Sequence, residues 1–273
     1  MRQLSVPVPG GRLSVVDEGD GPPVLLLHAG IVDARAWDPL VPHLVAAGYR
    51  AIRFDARGYG LSETEDAEFS NRADVVAVLD ALGVGRACLV GNSRGGQIAV
   101  DTAVEFPARV AALVTIGANI GGYEPEPTSA EAALFEELER LEASADPEAV
   151  ADFDVRFWVD GMGQPADRVP SEIRESVRAM SREVADPGRI HGRPIRLAPP
   201  AAERLRTLTM PVLAIAGALD VSDVWATARH LERTCPNARA VLMPDVAHLI
   251  ALEAPEAVAA LIVDLVRPLG RLD

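Results

Sequence analysis

The chain has 273 residues, 49% hydrophobic and 24% charged, with a formal net charge of −14. That length suits one large domain or a core domain carrying an insertion, and the acidic balance argues against binding nucleic acid or an anionic membrane through bulk charge. No stretch reaches the ~18 apolar residues of a membrane span, and the N-terminal residues show no leader-like apolar region, so a cytoplasmic soluble protein is expected. The two cysteines, Cys88 and Cys235, lack metal-like spacing. Cys88 lies in an apolar run with Ala87, Leu89 and Val90 and reads as a small buried hydrophobe. No His/Asp/Glu cluster has ligand spacing and no phosphate loop is present, so neither metal nor cofactor is expected.

In chain order, residues 3–7 and 12–17 flank Pro9-Gly10-Gly11 and predict an antiparallel hairpin. Residues 23–28 form a continuous apolar run, the pattern of a strand buried on both faces. Trp37, Leu40, Val41, Leu44 and Val45 then fall at helical spacing, with Gly48 as the stop. A strand is expected at 51–54, and a helix over Val75, Val78, Leu79 and Leu82 ends before Gly83. A strand at 87–90 follows, then a helix with Ile98, Ala99, Thr102, Ala103 and Phe106 on one face, then a strand at 110–116. From 121 to 206 no buried strand is legible. Leu134, Leu138 and Leu141 mark one amphipathic helix there, and Ile173, Val177, Met180 and Val184 mark another behind Pro170-Ser171. The alternation resumes with a strand at 210–216, a helix at 224–232, a strand at 238–243 and a last helix from Pro255. This rhythm implies an α/β fold: a mainly parallel sheet of about eight strands with helices on both faces. The core is expected at 1–120 and 207–273, with a helical insertion at 121–206.

Strand 87–90 runs into Gly91-Asn92-Ser93-Arg94-Gly95-Gly96, and a helix follows. G-x-S-x-G carries meaning in that setting: the serine sits on a sharp strand-to-helix turn, and small neighbours let strand and helix approach. A serine hydroxyl needs a base, and there are five histidines. His43 and His230 fall in helical patterns and read as surface residues. His191 lies in a loop-like stretch of the insertion, and His28 reads as shaping the loop after its strand. His248 follows the last strand after a short loop, on the carboxyl edge where open α/β sheets bind ligands. Asp220, just past strand 210–216, is the expected acceptor for the histidine. Its rival Asp223 reads as the cap of the helix near Val224. The oxyanion donors are expected to be the backbone N–H of Arg94 and that of Gly30, with Ile31 next.

These features resemble the α/β-hydrolase superfamily over most of the chain. The matching segments are LLLHAG with Trp37 downstream, the D-x-R-G-x-G-x-S stretch at 55–62, GNSRGG, GALD and the late His248. The order Ser93, Asp220, His248 is that of this fold. The resemblance implies an eight-stranded sheet with a helical cap between strands six and seven. It also implies loop-holding roles for Asp55 and Arg57. His28-Ala29 stands where the family usually has H-G, and Asp245-Val246-Ala247 where a glycine is often found. The sequence is most similar to the soluble esterases, enol-lactonases and C–C-bond hydrolases.

Carboxylic ester or lactone hydrolysis by Ser93, Asp220 and His248 is the preferred reading. The alternatives use the same residues for C–C cleavage, perhydrolysis, cofactor-free haloperoxidation or amide hydrolysis. A hydrolase-like binding protein without turnover is a third reading. Ile31 and Trp158 are candidate substrate contacts. Phe153, Phe157, Trp158 and Met162 either line an apolar pocket or form the insertion's own core; the i, i+4 pair Phe153 and Phe157 favours the core. The insertion or a sheet edge could mediate a homodimer.

Overall fold

The apolar runs become the middle of one sheet. The computed structural model describes residues 1–270, so the last three residues of the expected 207–273 core segment lie outside it. Eight strands, β1 (Arg2–Val8), β2 (Gly11–Glu18), β3 (Pro23–Leu27), β4 (Arg50–Phe54), β5 (Ala87–Asn92), β6 (Val110–Ile116), β7 (Val212–Gly217) and β8 (Ala238–Met243), pair in the order β1-β2-β4-β3-β5-β6-β7-β8. β2 is antiparallel to β1 and β4; every later pairing is parallel. A two-residue strand, Glu63–Thr64, adds to β2.

β3, β5, β6 and β7 are buried at every position. Side chains two apart share a sheet face, and both faces here are covered. Leu25, Leu27 and Leu89 join the core on one face, while Val24, Leu26, Cys88 and Val90 join the other. α1 (Val41–Ala46) and α9 (Pro255–Val266) pack on the Val24 side. α2 (Asn71–Ala81), α3 (Arg94–Glu105) and α7 (Ser222–Thr234) pack on the Leu25 side. Burial pushes the Cys88 thiol up to about 12 and the Cys235 thiol up to about 11, so both behave as small hydrophobes.

The single helix expected around 37–45 is broken. A one-turn 3-10 helix, Ala34–Trp37, precedes α1, which carries Pro42 in its first turn. Proline has no N–H for a preceding turn, so the helix starts there.

Between β6 and β7 lie α4 (Ser129–Ala143), α5 (Pro147–Asp154) and α6 (Ser171–Val184). α4 and α6 carry the two expected leucine and Ile/Val/Met stripes. α5 and the π-helical stretch Val155–Asp160 that continues it are additions to the sequence reading. Their start signal is Asp146-Pro147: the Asp146 carboxylate accepts from the amides of Glu148 and Ala149. Before α9 the chain makes the short α8 (Ile250–Glu253).

Candidate active site

β5 delivers Ser93 to the head of α3 with φ 52 and ψ −119. A left-handed conformation costs a residue with a Cβ of order 1–3 kcal/mol, so the surroundings must hold it. The Ser93 amide donates to Ile116 O at 2.8 Å, and its carbonyl accepts from the Gln97 amide at 3.0 Å. A Cβ on Gly91 would sit 2.2 Å from Gly95 O, and one on Gly95 would sit 2.1 Å from Leu27 O. Only glycine lets α3 seat this close to β5 and β3, which is the physical content of the motif.

Asp220 follows β7 and His248 follows β8. His248 Nδ1 lies 2.8 Å from Asp220 Oδ2, with both side chains buried. The other Asp220 oxygen accepts from the Val221 amide at 2.8 Å. With Nδ1–H donating to the carboxylate, the tautomer leaves Nε2 as the free acceptor. Ser93 and His248 line one cavity.

Three residues to which the sequence reading gives no role hold this pair. Asn92 Nδ2 donates to Ile116 O at 2.9 Å and to His248 O at 3.2 Å, tying the serine turn to the histidine loop. Gly117 has φ +54, and a Cβ there would lie 3.1 Å from both Asp220 Oδ2 and His248 Nδ1. Glu131 of α4 accepts from the Ser222 amide at 2.6 Å and from Ser222 Oγ at 2.8 Å, while also accepting from the Thr128 amide at 2.7 Å. The T-x-x-E spacing at 128–131 announces a capping box; nothing local announces the reach to Ser222.

Asp223 does not cap α7. The helix begins one residue earlier, at Ser222, whose amide is taken by Glu131; Asp223 sits in the first turn and accepts from Asn119 Nδ2 at 2.9 Å.

Gly30 and Ile31 line the same cavity as Ser93 and Arg94. Among the described residues, no backbone carbonyl accepts from the amides of Gly30, Ile31 or Arg94. His28 is fully engaged: its Nε2 accepts from the Ala56 amide at 3.0 Å, which makes Nδ1 the donor to Ala29 O at 2.8 Å. Burial, helped by the Arg94 charge, lowers its pKa to about 4, so a neutral ring shapes the loop. Asp55 accepts from the amides of Ala34 and Leu61, and Arg57 forms a bidentate pair with Asp74 at 2.7 and 2.8 Å. Both hold loops away from the serine.

His43 is exposed. His230 is not a free surface residue: it is half-buried and stacks on Tyr123 with ring centroids 4.0 Å apart. His191 lines the cavity, edge-on to Tyr59 at 5.4 Å. The cavity measures about 490 Å³, within the range of small-molecule sites. Its far wall comes from the helical segment: Leu138, Val150, Asp154, Trp158 and Ser181. Phe153 and Phe157 are core residues, 2% and 5% exposed. Met162 is 38% exposed and belongs to neither the core nor the cavity lining; it follows Gly161, φ +91, which turns the chain outward. Among the described residues no group of three His, Cys, Asp or Glu side chains is placed to hold a metal ion, and no helix is long and apolar enough to cross a membrane.

Residues 24–261 match the profile described as "Alpha/beta hydrolase family". The chain belongs to the α/β hydrolase family. Over 269 residues this hydrolase is 32% identical to rhodomycin D methylesterase DnrP of Streptomyces peucetius, covering 88% of this chain and 89% of that protein. It is 37% identical over 113 residues to a 2-hydroxy-6-oxononadienedioate/2-hydroxy-6-oxononatrienedioate hydrolase of Comamonas testosteroni, a match that spans 39% of this chain and only 40% of that relative's length. Among solved structures it is similar to the esterase RhEst1 from Rhodococcus sp. ECU1013, with a TM-score of 0.79 and 26% identity over 98% of this chain and 99% of the other.

Proposed function

We propose that this hydrolase cleaves a carboxylic ester or lactone of a small molecule through an acyl-enzyme on Ser93. The observation that carries the proposal is the buried Asp220–His248 hydrogen bond of 2.8 Å beside the cavity that also holds the strained Ser93. Ser93 Oγ attacks the ester carbonyl carbon while His248 Nε2 takes its proton. Asp220 fixes the ring and stabilises the imidazolium. The amides of Arg94 and Gly30 receive the oxyanion, the first at the positive end of α3. His248 then protonates the departing alkoxide. A water, deprotonated by the same ring, releases the acid and restores Ser93.

The helical segment 121–206 acts as a cap in this reading, and Ile31 and Trp158 contact the substrate. Ile31, Leu138, Val150 and Trp158 in the cavity wall suit an apolar acyl or alcohol group. The methylesterase match over nearly the whole chain supports ester cleavage as the first reading. The same machinery acting on a C–C bond is second, supported by the shorter match to the hydroxy-oxo-dienedioate hydrolase. Ser93→Ala should lower kcat on short p-nitrophenyl esters by at least about 10³-fold. Full activity in that variant would refute the proposal.

A further inference from the structure

Asp154 is a buried ionisable group that the ester mechanism leaves unused. It ends α5, is 3% exposed and lines the catalytic cavity. Among the described residues no basic side chain forms an ion pair with it; its Oδ2 accepts from Ser181 Oγ of α6 at 2.6 Å. Trp158, four residues on in the π-helical stretch, lines the same cavity, and its indole lowers the carboxyl's pKa. The Trp158 ring in turn lies 4.4 Å from the His248 ring at 43°, and its carbonyl accepts from the His248 amide at 3.2 Å. Asp154, Trp158 and His248 thus line one cavity, with Trp158 in contact with the imidazole. π-Helical turns concentrate at functional sites, and this one carries the Trp158 that packs against the histidine ring.

We propose that Asp154 is a positioning residue of the catalytic machinery: through Trp158 it holds the ring of His248, and as a carboxylate it favours the imidazolium formed when Ser93 gives up its proton. The inference rests on His248 being the base. Asp220 acts at Nδ1; Trp158 packs against the ring at a tilt of 43°, and Asp154 lines the same cavity. A cation forming close to an indole face is stabilised by its quadrupole, and a buried negative charge nearby acts in the same sense.

The groups facing Asp154 are Glu142 from α4, Ser181 from α6, Trp158 and His248. Burial raises its pKa to about 6; the Glu142 charge raises it too, while Ser181, Trp158 and the His248 charge oppose the rise. The carboxylate is therefore present above about pH 6 and lost below it.

The test compares Asp154→Asn with wild type across pH on a short p-nitrophenyl ester. At pH 8 kcat should fall about tenfold with KM changed less than about twofold. The deficit should close below about pH 6, where the wild-type carboxyl is itself protonated. Asp154→Glu should recover part of the loss. Trp158→Phe keeps a ring but loses the indole N–H, so it should lower kcat without that pH dependence. A folded Asp154→Asn with wild-type kcat at pH 8, or with a deficit constant in pH, would overturn the inference. If Asp154→Asn does not fold, Ser181→Ala takes its place. Loss of the hydroxyl donor raises the carboxyl's pKa further, so the acid fall in activity must move to higher pH, and an unmoved profile overturns the inference. Ser93→Ala measured in parallel separates the two readings. If it keeps turnover, the ester mechanism fails and this inference with it; if it loses turnover while Asp154→Asn keeps it, only the inference fails.

Discussion

A carboxylate on α3, Asp101, is buried, and among the described residues its Oδ1 has no hydrogen-bond partner. Burial raises its pKa to about 6, with Arg72 and Arg204 opposing. The folded-state pKa lies above the ordinary 3.8, so protonation stabilises the fold: the contribution is complete below about pH 4 and is lost as pH rises through about 6. Asp101→Asn should therefore raise stability at pH 7.5 by about 1 kcal/mol once solvent screening is allowed for, and change little at pH 4. Thermal melts at both values check this. Gly117→Ala tests the other kind of residue. A methyl at φ +54, placed 3.1 Å from both Asp220 Oδ2 and His248 Nδ1, should cost about 1–2 kcal/mol of stability and lower kcat more than it raises KM. Ser93, Asp220 and His248 were legible because each follows a recognisable strand at the binding edge. Asn92 and Gly117 were not, because their partners lie in other strands and loops, out of reach of local pattern.

The strands were the clearest elements. A run such as Val24-Leu25-Leu26-Leu27 has no polar face, and in the structure it has none exposed. Helix boundaries are less legible: Pro42 splits one expected helix, and α5 spans only eight residues, too short for the Phe153–Phe157 pair to show a helical stripe. The reach of Glu131 from α4 to Ser222, the first residue of α7, is invisible to periodicity altogether. It also ties the helical segment to the loop that carries Asp220. Glu131→Ala should cost about 2 kcal/mol, since it removes charge-assisted hydrogen bonds to Ser222 and Thr128. It should also reduce kcat through a loosened Asp220. Denaturant unfolding alongside steady-state kinetics checks both effects, and Glu131→Gln should recover part of each.

At the scale of the whole molecule, the sheet order brings the ends of β5, β7 and β8 to one edge, where the helical segment supplies the far wall of the cavity. The alternation of strands and helices made that architecture readable, and the break at 121–206 marked where the extra helices enter. The identity of the cavity wall was not readable, since it depends on how those helices fold back over the serine. The central claim is that Ser93 is activated by His248 within this frame. The most direct measurement is covalent labelling with a fluorophosphonate, followed by peptide mass spectrometry. The account predicts a single adduct on Ser93, abolished by Ser93→Ala and slowed strongly by His248→Ala. Labelling that persists in Ser93→Ala, or a wild-type protein that stays unlabelled while it hydrolyses esters, would contradict it.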